Sequence, residues 1–179
     1  MQLRHFLPLA FCVLLAFPAT AQERANEEIR ASPNAVVGQT IGMTDVLITY
    51  GRPSVRDRDI FGDLVAYDAV WRTGANEATT ITFSDDVMIE GQPLAAGTYS
   101  LFTIPGEDEW TLIFNSVANQ WGAYDYDEAS DVLRVTVEPE ESDFSELMTF
   151  SFDEVGETSG ELVLHWDETA VPITIATGS

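Results

Sequence analysis

Beyond Pro33 the chain alternates apolar and polar positions with a period of two. "TDVLITY" sets Val46, Ile48 and Tyr50 on one side and Leu47 and Thr49 on the other. "TTITF" does the same with Ile81 and Phe83, "WTLIF" with Trp110, Leu112 and Phe114, and "LMTFSF" with Met148, Phe150 and Phe152. In "ELVLHW" Leu162, Leu164 and Trp166 share a face and His165 lies opposite. Successive side chains of a strand point to opposite faces, so each run predicts a strand with one face buried. Turn chemistry separates the runs at Ser84-Asp85-Asp86, at "EGQPLAAG" (90–97) and at "EVGETSG" (154–160), where Gly, Asp, Pro and Ser break regular pairing. About ten strands at this spacing predict an all-β, single-domain antiparallel β-sandwich over residues 34–179.

Two strands carry further detail. "TYSLFTI" is apolar on both faces, with Tyr99 and Leu101 against Phe102 and Ile104, which predicts a central strand. "VPITI" contains Pro172, which has no N–H to give to a ladder, and this predicts a sheet edge. Two long connections interrupt the rhythm, one from Gly51 to about Ala78 and one from Asn115 to Ser130. Connections of that length inside a compact domain are usually functional or packed on themselves. In the first, Phe61, Leu64 and Val65 fall on one helical face behind Asp59, which predicts a single capped helical turn.

The first 21 residues have another character. Arg4 and His5 precede an apolar run from Phe6 to Phe17, and Ala19-Thr20-Ala21 forms a small-x-small site. This is the pattern of a secretory signal peptide cut after Ala21, too short to span a bilayer. The expected destination is the periplasm or the exterior, with residues 22–33 as a polar tether. Cys12 would leave with the signal, so no disulfide can staple the domain.

Charge narrows the partners. Against 30 Asp+Glu stand 8 Lys+Arg, all of them arginine, for a formal net charge of −22. Such a surface repels nucleic acid and anionic membranes. Only His165 remains after cleavage, so histidine-rich metal sites and thiolate sites are excluded, and no cofactor is expected. Asp125, Asp127 and Asp131 in "DYDEASD" offer oxygen ligands for calcium, but Ala129 and Ser130 break the calcium-loop pattern.

The scarce cations are nevertheless concentrated. Arg52, Arg56 and Arg58 lie in "YGRPSVRDRDIFG", and Arg72 follows. In an extended segment "RDRD" places Arg56 and Arg58 on one face. With Arg52, Arg72, Asn76 and Glu77 they would form a pocket for an anion or a polar ligand. The same guanidiniums would equally serve as clamps, holding the connection down through carboxylates such as Asp57, Asp63, Asp68 or Glu77, or through carbonyls. The second connection gathers Trp121, Tyr124 and Tyr126 among amides and acids. Those rings suit a sugar-stacking platform, or a plug for the open end of a sandwich.

Several stretches together, "SPNAVVGQTIG", "YGRPSVRDRDIFGDLVAYDAVWRTGANEATTITFS", "LAAGTYSLFTIP", "EWTLIFN" and "QWGAYDY", resemble a family of exported bacterial proteins known as domain of unknown function 2911. The resemblance implies a secreted or periplasmic β-rich domain and brings no agreed activity. It also implies glycine where this chain has Asp57, and proline and glycine at Ala66 and Asp68. Three functions follow as expectations. The first is a non-catalytic binding module for a small anionic or carbohydrate ligand held between the two connections. The second is a structural or interaction protein of the envelope. The third is a hydrolase using paired acids such as Asp59 or Glu77.

Overall fold

A computed structural model describes residues 29–178. The expected signal peptide, residues 1–21, and the first part of the expected tether, residues 22–28, lie outside the described residues. Among the described residues ten antiparallel strands form two sheets. The larger has the order β1 (Asn34–Ile41), β2 (Thr44–Gly51), β3 (Thr79–Phe83), β6 (Gly97–Ile104), β7 (Trp110–Asn115), β8 (Asp131–Val137). The smaller has the order β5 (Gln92–Leu94), β4 (Val87–Ile89), β10 (Ser159–Thr177), β9 (Glu140–Asp153).

The period-two residues are the ones that meet between the sheets. Val46, Ile48, Tyr50, Ile81, Phe83, Leu101, Leu112 and Phe114 from the larger sheet share one buried cluster with Met148, Phe150, Leu162, Leu164 and Trp166 from the smaller. At one end of this core Trp71 stacks on Trp166, with centroids 5.9 Å apart and planes at 18°. Phe61 meets Trp110 edge-on at 4.9 Å. Two of these rings, Phe61 and Trp71, come from the first long connection, so that segment is anchored by its own contribution to the core.

β6 lies between β3 and β7, as its two apolar faces predict. Leu101 faces the other sheet, and Phe102 must then face outward. Phe102 is nevertheless fully buried, together with Ala78 and Ile113, beneath Val70, Ala123 and Tyr126. The second connection lies across the outer face of the larger sheet and buries it. Tyr126 therefore covers a sheet face and does not plug the end of the sandwich.

Three local expectations are corrected. Pro172 is not on an edge strand. β10 runs for 19 residues and changes partner along its length, pairing with β9 up to Ala170 and with β4 from Ile175. Pro172 falls between the two ladders, where a missing N–H costs nothing. The segment from Ile60 to Val65 is not a helical turn. It closes through Val65 N–H to the Ile60 carbonyl (2.8 Å) and Gly62 N–H to the Val65 carbonyl (2.8 Å), and leaves Leu64 exposed. Nor is "RDRD" extended: Arg56 and Asp57 form a turn with φ of 52° and 53°.

The left-handed backbone at Asp57, and at Asp68 with φ of 57°, falls where the family resemblance implies glycine. Both side chains are exposed, so their cost is conformational. Asp57→Gly should stabilise the protein by about 0.5–1 kcal/mol, read as a rise of a few degrees in Tm. A fall would mean that the Asp57 carboxylate contributes more than its backbone costs.

Candidate functional site

The first connection is held by arginines, and their acceptors are carbonyls. Arg52 Nε donates to the Met148 carbonyl at 2.9 Å. Arg58 Nε and NH2 donate to the Val55 (2.9 Å) and Ser54 (2.5 Å) carbonyls, folding the guanidinium over its own turn. Arg56 NH2 donates to the Ala31 carbonyl at 3.1 Å. The Asp57, Asp63 and Asp68 carboxylates take no part in these contacts. Irregular backbone leaves carbonyls without ladder partners, and a multidentate cation satisfies several of them at once.

The same residues fasten the incoming chain. Arg30 NH1 bridges both oxygens of Glu77, at 2.7 and 3.0 Å. Arg56 takes the Ala31 carbonyl, Asn76 Nδ2 takes the Ser32 carbonyl at 3.0 Å, and Arg52 N–H takes the Pro33 carbonyl at 2.8 Å. Four consecutive residues, 30–33, are thus held one by one, so the last part of the expected tether is docked on the domain. Sequence reasoning missed Arg30, because a charged residue in a polar N-terminal segment looks like any other.

The two long connections meet. Glu77 pairs with Trp121 as an isolated antiparallel bridge. Ala78 N–H donates to the Gln120 carbonyl (3.0 Å), and Gly122 N–H donates to the Asn76 carbonyl (3.1 Å). Beneath this junction lie three buried polar residues: Ser100 and Asn115, which the sequence did not single out, and Gln120, one of the amides beside the predicted rings. Asn115 Nδ2 donates to the Asp127 carbonyl (3.0 Å) and to Asp131 Oδ1 (2.8 Å). Its Oδ1 accepts from Val117 N–H (3.0 Å) and Gln120 Nε2 (3.2 Å). The only sequence signal for this role is an amide at the last position of a strand that opens a long connection.

The three predicted aromatics divide. Tyr126 turns inward, edge-on to Phe102 at 5.1 Å. Its hydroxyl donates to Asp131 Oδ2 and accepts from Arg134 NH2, both at 2.6 Å. Its pKa is pushed up to about 12, by burial first and then by donation to the Asp131 carboxylate, which favours the neutral phenol. Trp121 and Tyr124 turn outward, with 56% and 82% of their surface exposed. Gly122, at φ of 66°, makes room for the Tyr124 ring: a Cβ there would sit 3.0 Å from Tyr124 Cδ2.

Arg72 completes this surface. Burial pushes its pKa down from the usual arginine value, opposed in part by the nearby Tyr124. Its Nε is buried without a hydrogen-bond partner. The structure thus brings Arg72, Asn76, Glu77, Trp121 and Tyr124 to the junction of the connections, while Arg52, Arg56 and Arg58 hold the chain around it.

Of the remaining candidates, Asp127, Asp131 and His165 have structural partners. Asp127 caps the short 3-10 helix Glu128–Ser130 by accepting from Ala129 N–H at 3.0 Å. Asp131 accepts from Tyr126, Asn115 and Arg134. Among the described residues no group of three or more His, Cys, Asp or Glu is placed to hold a metal ion. His165 is half-buried on β10, with Nε2 at 2.7 Å from the Asp143 carbonyl.

Fold and site together define an all-β sandwich whose two long connections meet on the outer face of the larger sheet, with an arginine and two exposed rings at the surface. The family model described as protein of unknown function, DUF2911, matches residues 32–175. The chain belongs to that family, as its sequence resemblance implied. No curated protein and no solved structure matches the chain.

Proposed function

We propose that this protein is a non-catalytic binding module, exported to the periplasm or beyond, that takes a small saccharide carrying one acidic group. Trp121 and Tyr124 stack on the sugar, and Arg72 receives its carboxylate. One observation carries the reading. Among the described residues every other arginine donates to a carbonyl or a carboxylate. Arg72 alone makes no such contact, and it is partly desolvated. A partly desolvated guanidinium with no acceptor of its own gains a charge-assisted hydrogen bond when a carboxylate binds, worth about 1.5–3 kcal/mol. A single acidic group suits a chain of charge −22 better than a polyanion does.

Glucuronate is the probe, with glucose at matched ionic strength as the neutral comparison, read through tryptophan fluorescence. Glucuronate should quench saturably. Arg72→Gln should weaken it about tenfold to a hundredfold, the worth of one charge-assisted hydrogen bond, and should leave Tm unchanged or raised. Trp121→Ala should abolish the signal without unfolding the protein. Equal binding by wild type and Arg72→Gln sinks the proposal.

A second reading, a structural or interaction protein of the envelope, draws on Arg52, Arg56 and Arg58. All three spend their donors on the protein's own carbonyls.

A further inference from the structure

The opposite end of β7 carries a different chemistry. Beside Trp110, the buried first residue of β7, the half-buried Phe61 and Tyr67 form the aromatic wall of a cleft of about 150 Å³, which is also lined by Glu107, Glu140, Glu141 and Glu168. Tyr67 reaches this wall because residue 62 is glycine. At its φ of 94° the backbone is left-handed, and a Cβ would stand 2.9 Å from Tyr67 Cε2. The cleft is too small for a sugar ring with its hydroxyl shell, since ligand pockets of that kind usually exceed about 300 Å³. It suits an alkylammonium head.

Glu140 is also a wall of a neighbouring groove of about 330 Å³, where Glu90, Glu109, Glu138 and Glu161 converge. Among the described residues no arginine or histidine lines either space. Among the described residues the acids in ion pairs are Glu77, Glu128 and Asp131, so none of these glutamates is neutralised by the protein itself. The crowding is felt at Glu161, whose pKa is pushed up by burial first and then by Glu154, Glu140, Asp153 and Glu90. Aromatic faces beside carboxylates attract an organic cation, through the ring quadrupole and through charge. A metal ion would have no use for the rings.

We propose that the aromatic cleft and the adjoining glutamate groove form one site for a linear polyamine, with one terminal ammonium against Phe61 and Tyr67 and the following amines along the glutamates. The site is independent of the Arg72 surface and of the reading given to it.

Calorimetric titration of the protein with spermidine at physiological ionic strength tests it. Binding should be saturable. Tyr67→Leu, which keeps an apolar wall and removes the π face, should weaken it about tenfold, while Tyr67→Phe should stay within about twofold. Glu140→Gln, on an exposed side chain shared by both spaces, should weaken it by about threefold to tenfold. Asp125→Asn removes the same charge from the second connection, beyond the other end of β7, and should change nothing. Uptake without saturation overturns the proposal, as does equal weakening by Asp125→Asn and Glu140→Gln. Wild-type affinity in a folded Tyr67→Leu overturns it as well.

Discussion

Asn115→Ala should cost about 3 kcal/mol of stability and lower Tm by about 6–12 °C, a large effect for a polar side chain. Asn115 is fully buried, and its amide satisfies four partners. Two of them, Val117 N–H and Gln120 Nε2, lie at the start of the second connection, and the other two, the Asp127 carbonyl and Asp131 Oδ1, lie at its end. One side chain thus closes the long loop on itself. Removing it strands buried donors and acceptors, and a stranded group costs more than an intact hydrogen bond contributes. The loss should also spread. The connection covers Phe102 and Ile113 on the outer sheet face, so the variant should expose apolar surface there and weaken any ligand held by Trp121 and Tyr124. Thermal denaturation with near-UV circular dichroism checks both parts. A variant within about 0.5 kcal/mol of wild type would show that the loop is held mainly by its aromatic and backbone contacts.

Trp166→Ala should be costlier still, about 3–5 kcal/mol. Trp166 is 1% exposed, stacked on Trp71 and edge-on to Phe61 at 6.0 Å. Those two partners belong to the arginine-rich connection, so the cavity would loosen the first connection as well as the core. Trp166→Phe gives the sharper comparison. The indole N–H is buried without an acceptor among the described residues, so phenylalanine loses ring volume but also sheds an unsatisfied donor. Its cost should be no more than about half that of alanine. Denaturant titration of the three proteins gives the ranking. Equal losses for Phe and Ala would mean that the indole N–H has a partner in solution, such as a water.

The strand pattern was legible because it is a local property. Val46, Ile48 and Tyr50 face the core for the same steric reason that they alternate in sequence, and no distant residue alters that parity. The two-faced β6 was legible too, although what covers Phe102 was not. The left-handed turn at Asp57 was hidden by a reading of "RDRD" as extended. Nothing in four alternating charges shows that the backbone turns there, and only the glycine implied by the family resemblance hinted at it.

The candidate site was partly visible. Its residue types were the expected ones, but their partners were not, since an arginine in a list of residues does not reveal whether it meets a carbonyl, a carboxylate or nothing. Arg58 folds over Ser54 and Val55, a few positions away, whereas Arg52 reaches the Met148 carbonyl and Arg30 reaches Glu77 across long stretches of chain.

The sequence by itself determined the all-β class, the faces of the strands, the two long connections and the acidic surface. Each follows from composition or from short-range periodicity. Tertiary structure alone decided that residues 76–78 meet 120–122, that Pro172 falls between two ladders, and that Arg72 is, among the described residues, the arginine left without an acceptor. Those outcomes depend on which distant segments share a surface, and that is settled only when the two sheets pack and the loops compete for the same carbonyls.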